Sequence, residues 1–241
     1  MINPPVPKNC LKYLSDYIYL VKNQGSRREL KISLRDLYPI LNENTNETYF
    51  DRHYIYHTAW AARKVKEIDP KKHIDISSSL YFSGIISAFI PVDIYDFRPP
   101  KVELAGLHSK KADLLKLPFK SGSLESFSCM HVVEHIGLGR YGEPLDPDGD
   151  LKAMTELKRV VASGGSLLFV VPIGFRSKIL FNAHRIYTYS QVISYFSDLI
   201  LKEFVLIPEK SEDGGLVKGP SAKLLRRQNY ACGCFWFKKQ Q

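Results

Sequence analysis

The chain has 241 residues, 44% of them hydrophobic and 24% charged, with a formal net charge of +9. That length and balance suit one large soluble domain, or a domain with a helical addition, with a sizeable buried core. No apolar run approaches the roughly 20 residues of a membrane span. The opening MINPPVPKNCLKYL lacks the basic-then-apolar order of a secretory signal, so a cytoplasmic protein is expected.

Residues 1–70 read as a helical extension. Apolar and aromatic residues recur at helical spacing from Cys10 to Val21, Ser33 before Leu34 resembles a weak helix start, and residues 42–48 form a polar loop. A helix over Asp51–Ile68 carries Tyr56, Trp60 and Lys64 on one side, and Pro70 ends it. This extension is expected to serve as a lid.

Residues 71–241 read as the main domain. Strands are predicted at 73–77, 91–97, 104–109, 124–132, 166–171, 201–207 and 230–237. Helices are predicted at 80–89, from Asp148 or Asp150 to about Val161, and from Ser190 to about Ser197. Gly164-Gly165 is expected to terminate the helix before the fifth strand. Strands alternating with helices give an α/β fold with a mostly parallel sheet covered on both faces. The two late strands give it an antiparallel end.

Ligands of such sheets sit beyond the carboxyl ends of the strands, where strand order reverses. Candidate chemical residues collect there. The first strand ends in Asp75-Ile76-Ser77-Ser78-Ser79, where small residues let a ligand approach the backbone. Asp96 ends the second strand some twenty residues on, the spacing at which an acid can accept from ribose hydroxyls. Asp113, in ADLLKLPF, is placed to meet an adenine amine. The cysteines Cys10, Cys129, Cys232 and Cys234 have no four-ligand zinc spacing and are read as reduced and structural. Basic residues are denser at 218–227 and at Lys238-Lys239, read first as a solvated face and second as a nucleic-acid track.

The order of the Asp75 loop, Asp96, Asp113-Leu114, HVVEHI and ELKRVVASGGSLLFVVP resembles the class I methyltransferases that use S-adenosylmethionine. Ser163 stands where their ELxRVLxPGG pattern has proline. More narrowly, HVVEHIGLGRYGEPLDPDGD, FNAHRIYT and WAARK resemble the family catalogued as domain of unknown function 268, over about Asp51 to Gly215. The resemblance implies a Rossmann-like sheet with its final strand antiparallel, and S-adenosylmethionine as cofactor. Asp75, Ser77 and Ser79 would hold its methionine end, Asp96 its ribose, Asp113 and Leu114 its adenine, and His131 would face it. The serines stand where the wider class has glycines.

On the acceptor side, methyl transfer to an alcohol benefits from a base, and histidine titrates near neutrality. His135 and His184 are the candidates, with Glu134 to orient one of them or bind acceptor hydroxyls. Arg140, Tyr141, Asp146, Asp148, Asn182 and Arg185 are the candidate acceptor contacts. Divalent metal binding by His131, Glu134, His135 and His184 is the less favoured use of these groups. The expected activity is O-methylation of a sugar, glycan or other small hydroxylated acceptor. Nucleic-acid methylation and a non-catalytic interaction protein with the same fold are the alternatives.

Overall fold

A computed structural model describes residues 8–25 and 29–241; the stretch MINPPVP, part of the export-signal reading, lies outside them. The chain divides into two units at Phe50/Asp51. The first holds helix α1 (Lys8–Asn23) and one 3-10 turn at Leu34–Asp36, where Ser33 Oγ accepts from the Arg35 N–H at 3.1 Å. The helix start read at Ser33 thus yields a single turn. Pro39 lies close behind it, and the residue before a proline is steered away from helical backbone.

The second unit begins with α2 (Arg52–Ile68), which the sequence reading assigned to the extension. Asp51 caps it, its carboxylate accepting from the Tyr54 N–H at 3.1 Å. Its buried stripe of His57, Trp60, Ala61, Lys64 and Val65 follows the 3.6-residue period and packs on the sheet. Trp60 Nε1 donates to Glu203 Oε1 at 3.0 Å, and Lys64 pairs with the same carboxylate at 2.9 Å.

The sheet is built from β1 (His73–Asp75), β2 (Val92–Asp96), β3 (Leu107–Lys111), β4 (Leu124–Met130), β5 (Val161–Ile173), β8 (Ile200–Ile207), β9 (Val217–Lys218) and β10 (Ala231–Lys238). Its order is β3-β2-β1-β4-β5-β10-β8-β9. The first five run parallel, and β10 lies antiparallel between β5 and β8. The late strands are therefore wedged into the sheet, with only short β9 beyond them. A small hairpin, β6 (Lys178–Leu180) and β7 (His184–Ile186), stands apart from the sheet.

Side chains alternate between two cores, as a period of two requires. Leu167, Phe169 and Val171 join Phe235 and Phe237 on one face, under α4 (Gly149–Val160) and α5 (Tyr189–Tyr195). Leu168, Val170, Cys232 and Cys234 join the other, under α2 and α3 (Leu80–Ile86). Both faces are covered, which is why β4 and β5 read as runs of mostly apolar and small residues.

Two boundaries differ from the sequence reading. Helix α4 stops at Val160, and Gly164-Gly165 lie inside β5, at a shift in its pairing with β4. Gly164 adopts a φ of +71°, and a side chain on Gly165 would stand 2.7 Å from the Leu124 carbonyl. The glycines make a strand irregularity rather than a helix stop. Helix α5 is opened by Thr188, not Ser190, through a capping box with Gln191.

Candidate functional site

Strand order reverses between β1 and β4, and a cleft of about 340 Å³ opens at their carboxyl ends. That volume lies within the roughly 300–1,000 Å³ usual for small-molecule sites. Ile76 and Ser78 line it after β1, Tyr95 to Arg98 after β2, Ala112 to Leu115 and Leu117 after β3, and His131, Val132 and His135 after β4. The loop ahead of α4 adds Tyr141, Glu143, Pro144 and Asp146.

Asp96, Asp113, Leu114 and His131 therefore share one cavity. Asp96 Oδ1 accepts from the Arg98 N–H at 2.6 Å, and Asp113 Oδ1 from the Leu115 N–H at 2.9 Å. Each carboxylate is fixed by the turn that follows its strand. Leu114 and Leu117 are buried, and Tyr95 meets Phe119 edge-on, so the wall near Asp113 is apolar and flat-sided.

Asp75, Ser77 and Ser79 do not line the cleft. Alternation turns Ser77 and Ser79 inward and Ser78 outward. Ser77 Oγ accepts from the Met130 N–H at 3.2 Å, tying the loop to β4. Ser79 Oγ is buried without a protein partner. Asp75 lies beneath the loop, receiving hydrogen bonds from Ser83 Oγ and, at 2.5 Å, from Ser128 Oγ. Burial pushes its pKa up, and the serine hydroxyls work against that shift. The missed residue here is Ser78; the alternation of the Ser77–Ser79 run was the signal that could have found it.

Past β4 the chain makes a 3-10 turn at Val133–His135. His135 lines the cleft, and its Nδ1 lies 2.6 Å from the Ala183 carbonyl. A carbonyl only accepts, so Nδ1 carries the proton and Nε2 is the basic nitrogen. Glu134 turns the other way, fully buried, with Oε1 2.8 Å from His131 Nδ1. It orients His131 rather than His135. Burial opposes charge on His131, but the Cys232 sulfur and the Glu134 carboxylate outweigh it and raise its pKa. His184 is not part of the cleft wall: its ring lies 6.3 Å from that of His135 and 5.2 Å from Tyr230. Burial lowers its pKa.

Among the acceptor candidates, Tyr141 and Asp146 line the cleft. Asp146 pairs with Lys152 at 2.6 Å, which with backbone donors holds its pKa below the usual carboxylate range. Arg140 donates to the Ala183 carbonyl at 3.1 Å, and its guanidinium and that of Arg98 both lie over the Tyr141 ring. Asp148 and Asn182 are exposed and outside the cleft wall. Arg185 is buried and donates to the carbonyls of Ile136 (2.6 Å) and Pro147 (3.2 Å), so it ties down the neck of the loop. Gly137 completes that neck: at φ +80°, its missing side chain would stand 2.1 Å from the Asp146 carbonyl. The denser basic stretch is partly neutralised, since Lys218 pairs with Glu203 and Arg227 with Asp213. No described helix is long and apolar enough to cross a membrane.

Residues 119–201 match the family model described as Caenorhabditis protein of unknown function, DUF268. That span contains HVVEHIGLGRYGEPLDPDGD and FNAHRIYT but not WAARK. No curated protein matches the chain by sequence. Among solved structures, it is similar to the 1,6-didemethyltoxoflavin-N1-methyltransferase of Burkholderia thailandensis, solved with S-adenosylhomocysteine. The TM-score is 0.55 at 9% identity, covering 100% of this chain and 94% of the other. The N-methyltransferase NodS of Bradyrhizobium japonicum, also with S-adenosylhomocysteine, gives 0.52 at 14% identity, over 79% and 88%. The YcgJ protein of Bacillus subtilis gives 0.52 at 14% identity, over 78% and 99%. The chain thus has the class I S-adenosylmethionine-dependent methyltransferase fold, and across residues 119–201 it carries the sequence pattern of the DUF268 family.

Proposed function

We propose that this chain is an S-adenosylmethionine-dependent methyltransferase acting on the hydroxyl of a small acceptor, with His135 as the base. The observation that carries the reading is the sharing of one cleft by Asp96, Asp113, Leu114 and His135 at the point where strand order reverses. The residues present fit the cofactor. Asp96 would accept from its ribose, Asp113 and the apolar wall around Leu114 and Leu117 would border its adenine, and Ser78 would face its remaining end. When bound, the cofactor supplies an electrophilic methyl group on a sulfonium.

The protein's own part is positioning and proton removal. The cleft walls hold the acceptor in line, which supplies much of the rate of a displacement. His135 Nε2 would take the proton of the acceptor hydroxyl, while the Ala183 carbonyl holds the ring through Nδ1–H. His184 is the weaker candidate, because it stands behind His135 and its Nε2 is buried without a partner.

A sugar or glycan remains within this acceptor class, but the acids of the loop do not favour one. Glu143 accepts from the Gly139 and Tyr141 N–H groups, both at 2.9 Å, Asp146 pairs with Lys152, and Asp150 accepts from Tyr187 at 2.9 Å. The test is calorimetric titration with S-adenosylhomocysteine, followed by an acceptor screen with S-adenosylmethionine. Binding at 1:1 with turnover on a hydroxylated compound supports the reading. Absence of binding would make the chain a non-catalytic member of the fold.

A further inference from the structure

Three elements meet beside the cleft and bring together His131 of the cleft wall with two side chains that methyl transfer does not use. His53 lies on the first turn of α2, His131 just past β4, and Cys232 on β10. One ligand atom of each lies within 4.8 Å of the others. We propose that His53, His131 and Cys232 form a binding site for a divalent thiophilic cation, of which Zn²⁺ is the best match.

Geometry supports this first. His131 Nε2 stands 3.5 Å from Cys232 Sγ. With Zn–S near 2.3 Å, Zn–N near 2.05 Å and a tetrahedral angle, the N···S separation across a zinc ion is about 3.6 Å. The pair is therefore already spaced as two ligands of one ion. The rings of His53 and His131 lie nearly parallel, 10° apart, with centroids 5.9 Å apart. His53 has to close by at most about 1.5 Å to reach the roughly 3.3 Å that two nitrogen ligands of one tetrahedral zinc require.

The surroundings support it second. A metal-bound histidine usually gives its other ring N–H to a carboxylate or a backbone carbonyl. His131 does so to Glu134, at 2.8 Å. Next to it, His57 Nδ1 lies 2.6 Å from the His53 carbonyl, so His57 Nε2 carries a lone pair. That nitrogen is fully buried and has no hydrogen-bond partner among the described residues. The His57 ring is edge-on to His131 at 4.9 Å, so its Nε2 is a third nitrogen beside these ligands, outside the group that lies within 4.8 Å. A buried acceptor with no donor is uncommon in native proteins and asks for an occupant.

The donor set selects the metal. Thiolate with imidazole favours zinc over the oxygen-seeking magnesium and calcium. On binding, Cys232 releases its thiol proton to solvent and the sulfur's electron pair goes to the metal. The ion would pin the start of α2 to two strands of the sheet, next to the cleft wall that His131 forms. Its role is structural, and it stands whether or not the chain transfers methyl groups.

The experiment uses the full chain, treated with a chelator and then titrated with Zn²⁺ by calorimetry and with Co²⁺ by absorption spectroscopy. The expected result is one ion per chain, a thiolate-to-cobalt charge-transfer band, and a higher Tm in zinc. Cys232→Ser removes the band, whereas Cys10→Ser leaves it. Glu134→Gln keeps the band but weakens zinc about 10- to 100-fold, as loss of a supporting hydrogen bond does. Absence of stoichiometric binding by the wild-type chain overturns the proposal, as does a band that survives in Cys232→Ser with its circular dichroism intact.

Discussion

Asp96 offers the sharpest test of the cleft. In Asp96→Ala the carboxylate that faces the cavity at the end of β2 is lost, while no buried partner is stranded, because among the described residues it binds the Arg98 N–H of an exposed turn. Oδ1 is engaged there, so one oxygen is left to accept from a ribose hydroxyl. A hydrogen bond to a charged acceptor contributes about 1.5–3 kcal/mol. Asp96 is half-exposed, and solvent competition favours the lower part of that range. A loss of about 1.5–2 kcal/mol corresponds to roughly 10- to 30-fold weaker binding. The assay is calorimetric titration with S-adenosylhomocysteine, with Asp96→Asn as the companion variant. Asn keeps an acceptor and loses the charge, so its affinity should fall between the two. If Asp96→Ala binds within twofold of the wild type while its Tm is unchanged, the cofactor does not lie against Asp96 in the cleft.

The two histidines separate by kinetics. His135→Ala should lower kcat about 100-fold or more, as removal of a general base does, with S-adenosylhomocysteine affinity nearly unchanged; His184→Ala should act by less than tenfold, and equal losses would remove the distinction drawn from the cleft wall. His73 predicts an acid-sensitive fold: it is fully buried between Ser126 Oγ (2.9 Å) and Ser128 Oγ (3.0 Å), and burial lowers its pKa from 6.5 to about 3. The unfolded chain therefore takes up this proton first, so stability from His73 is full above pH 6.5 and falls by about 1.4 kcal/mol per pH unit below it, until the folded-state pKa is reached; urea midpoints should show a shallower pH slope in His73→Asn between pH 7.5 and 5, and an unchanged slope would refute the assignment.

What the sequence made legible follows from what the sheet buries. Strands β4 and β5 are buried on both faces for most of their length, and such strands appear as runs of apolar and small residues between turn signals. Asp96 and Asp113 were readable for the same reason: they stand at strand ends, and strand ends can be counted. The serine loop was less readable, because in a tight turn a shift of one residue decides which side chain faces the ligand, and Ser78 rather than its neighbours does. The extension reads as ending at residue 70 because α2 continues the helical pattern of α1 up to Pro70. Only its packing, through Trp60 and Lys64 onto Glu203, shows that it belongs with the sheet. The group of His53, His131 and Cys232 left no local trace: its members are separated by 78 and 101 positions, and no spacing rule joins them. An HxxxH pair at His53 and His57 was the one signal available, since residues four apart share a helix face.

His131 links these features through its backbone. Its φ of +56° is the left-handed conformation, uncommon for residues other than glycine. Asparagine, aspartate or glycine would adopt it more readily, so the imidazole has to be worth the strain. The same twist ends β4, keeps the His131 N–H on the Val170 carbonyl at 2.9 Å, and starts the turn that carries Glu134 back to its Nδ1. A glycine there would relax the backbone and leave the buried carboxylate of Glu134 with no cation and no donor. An extended residue would carry His135 away from the cleft. The sheet's reversal point thus fixes two things with one residue: the base candidate on one side, and on the other an imidazole held with Nε2 toward Cys232.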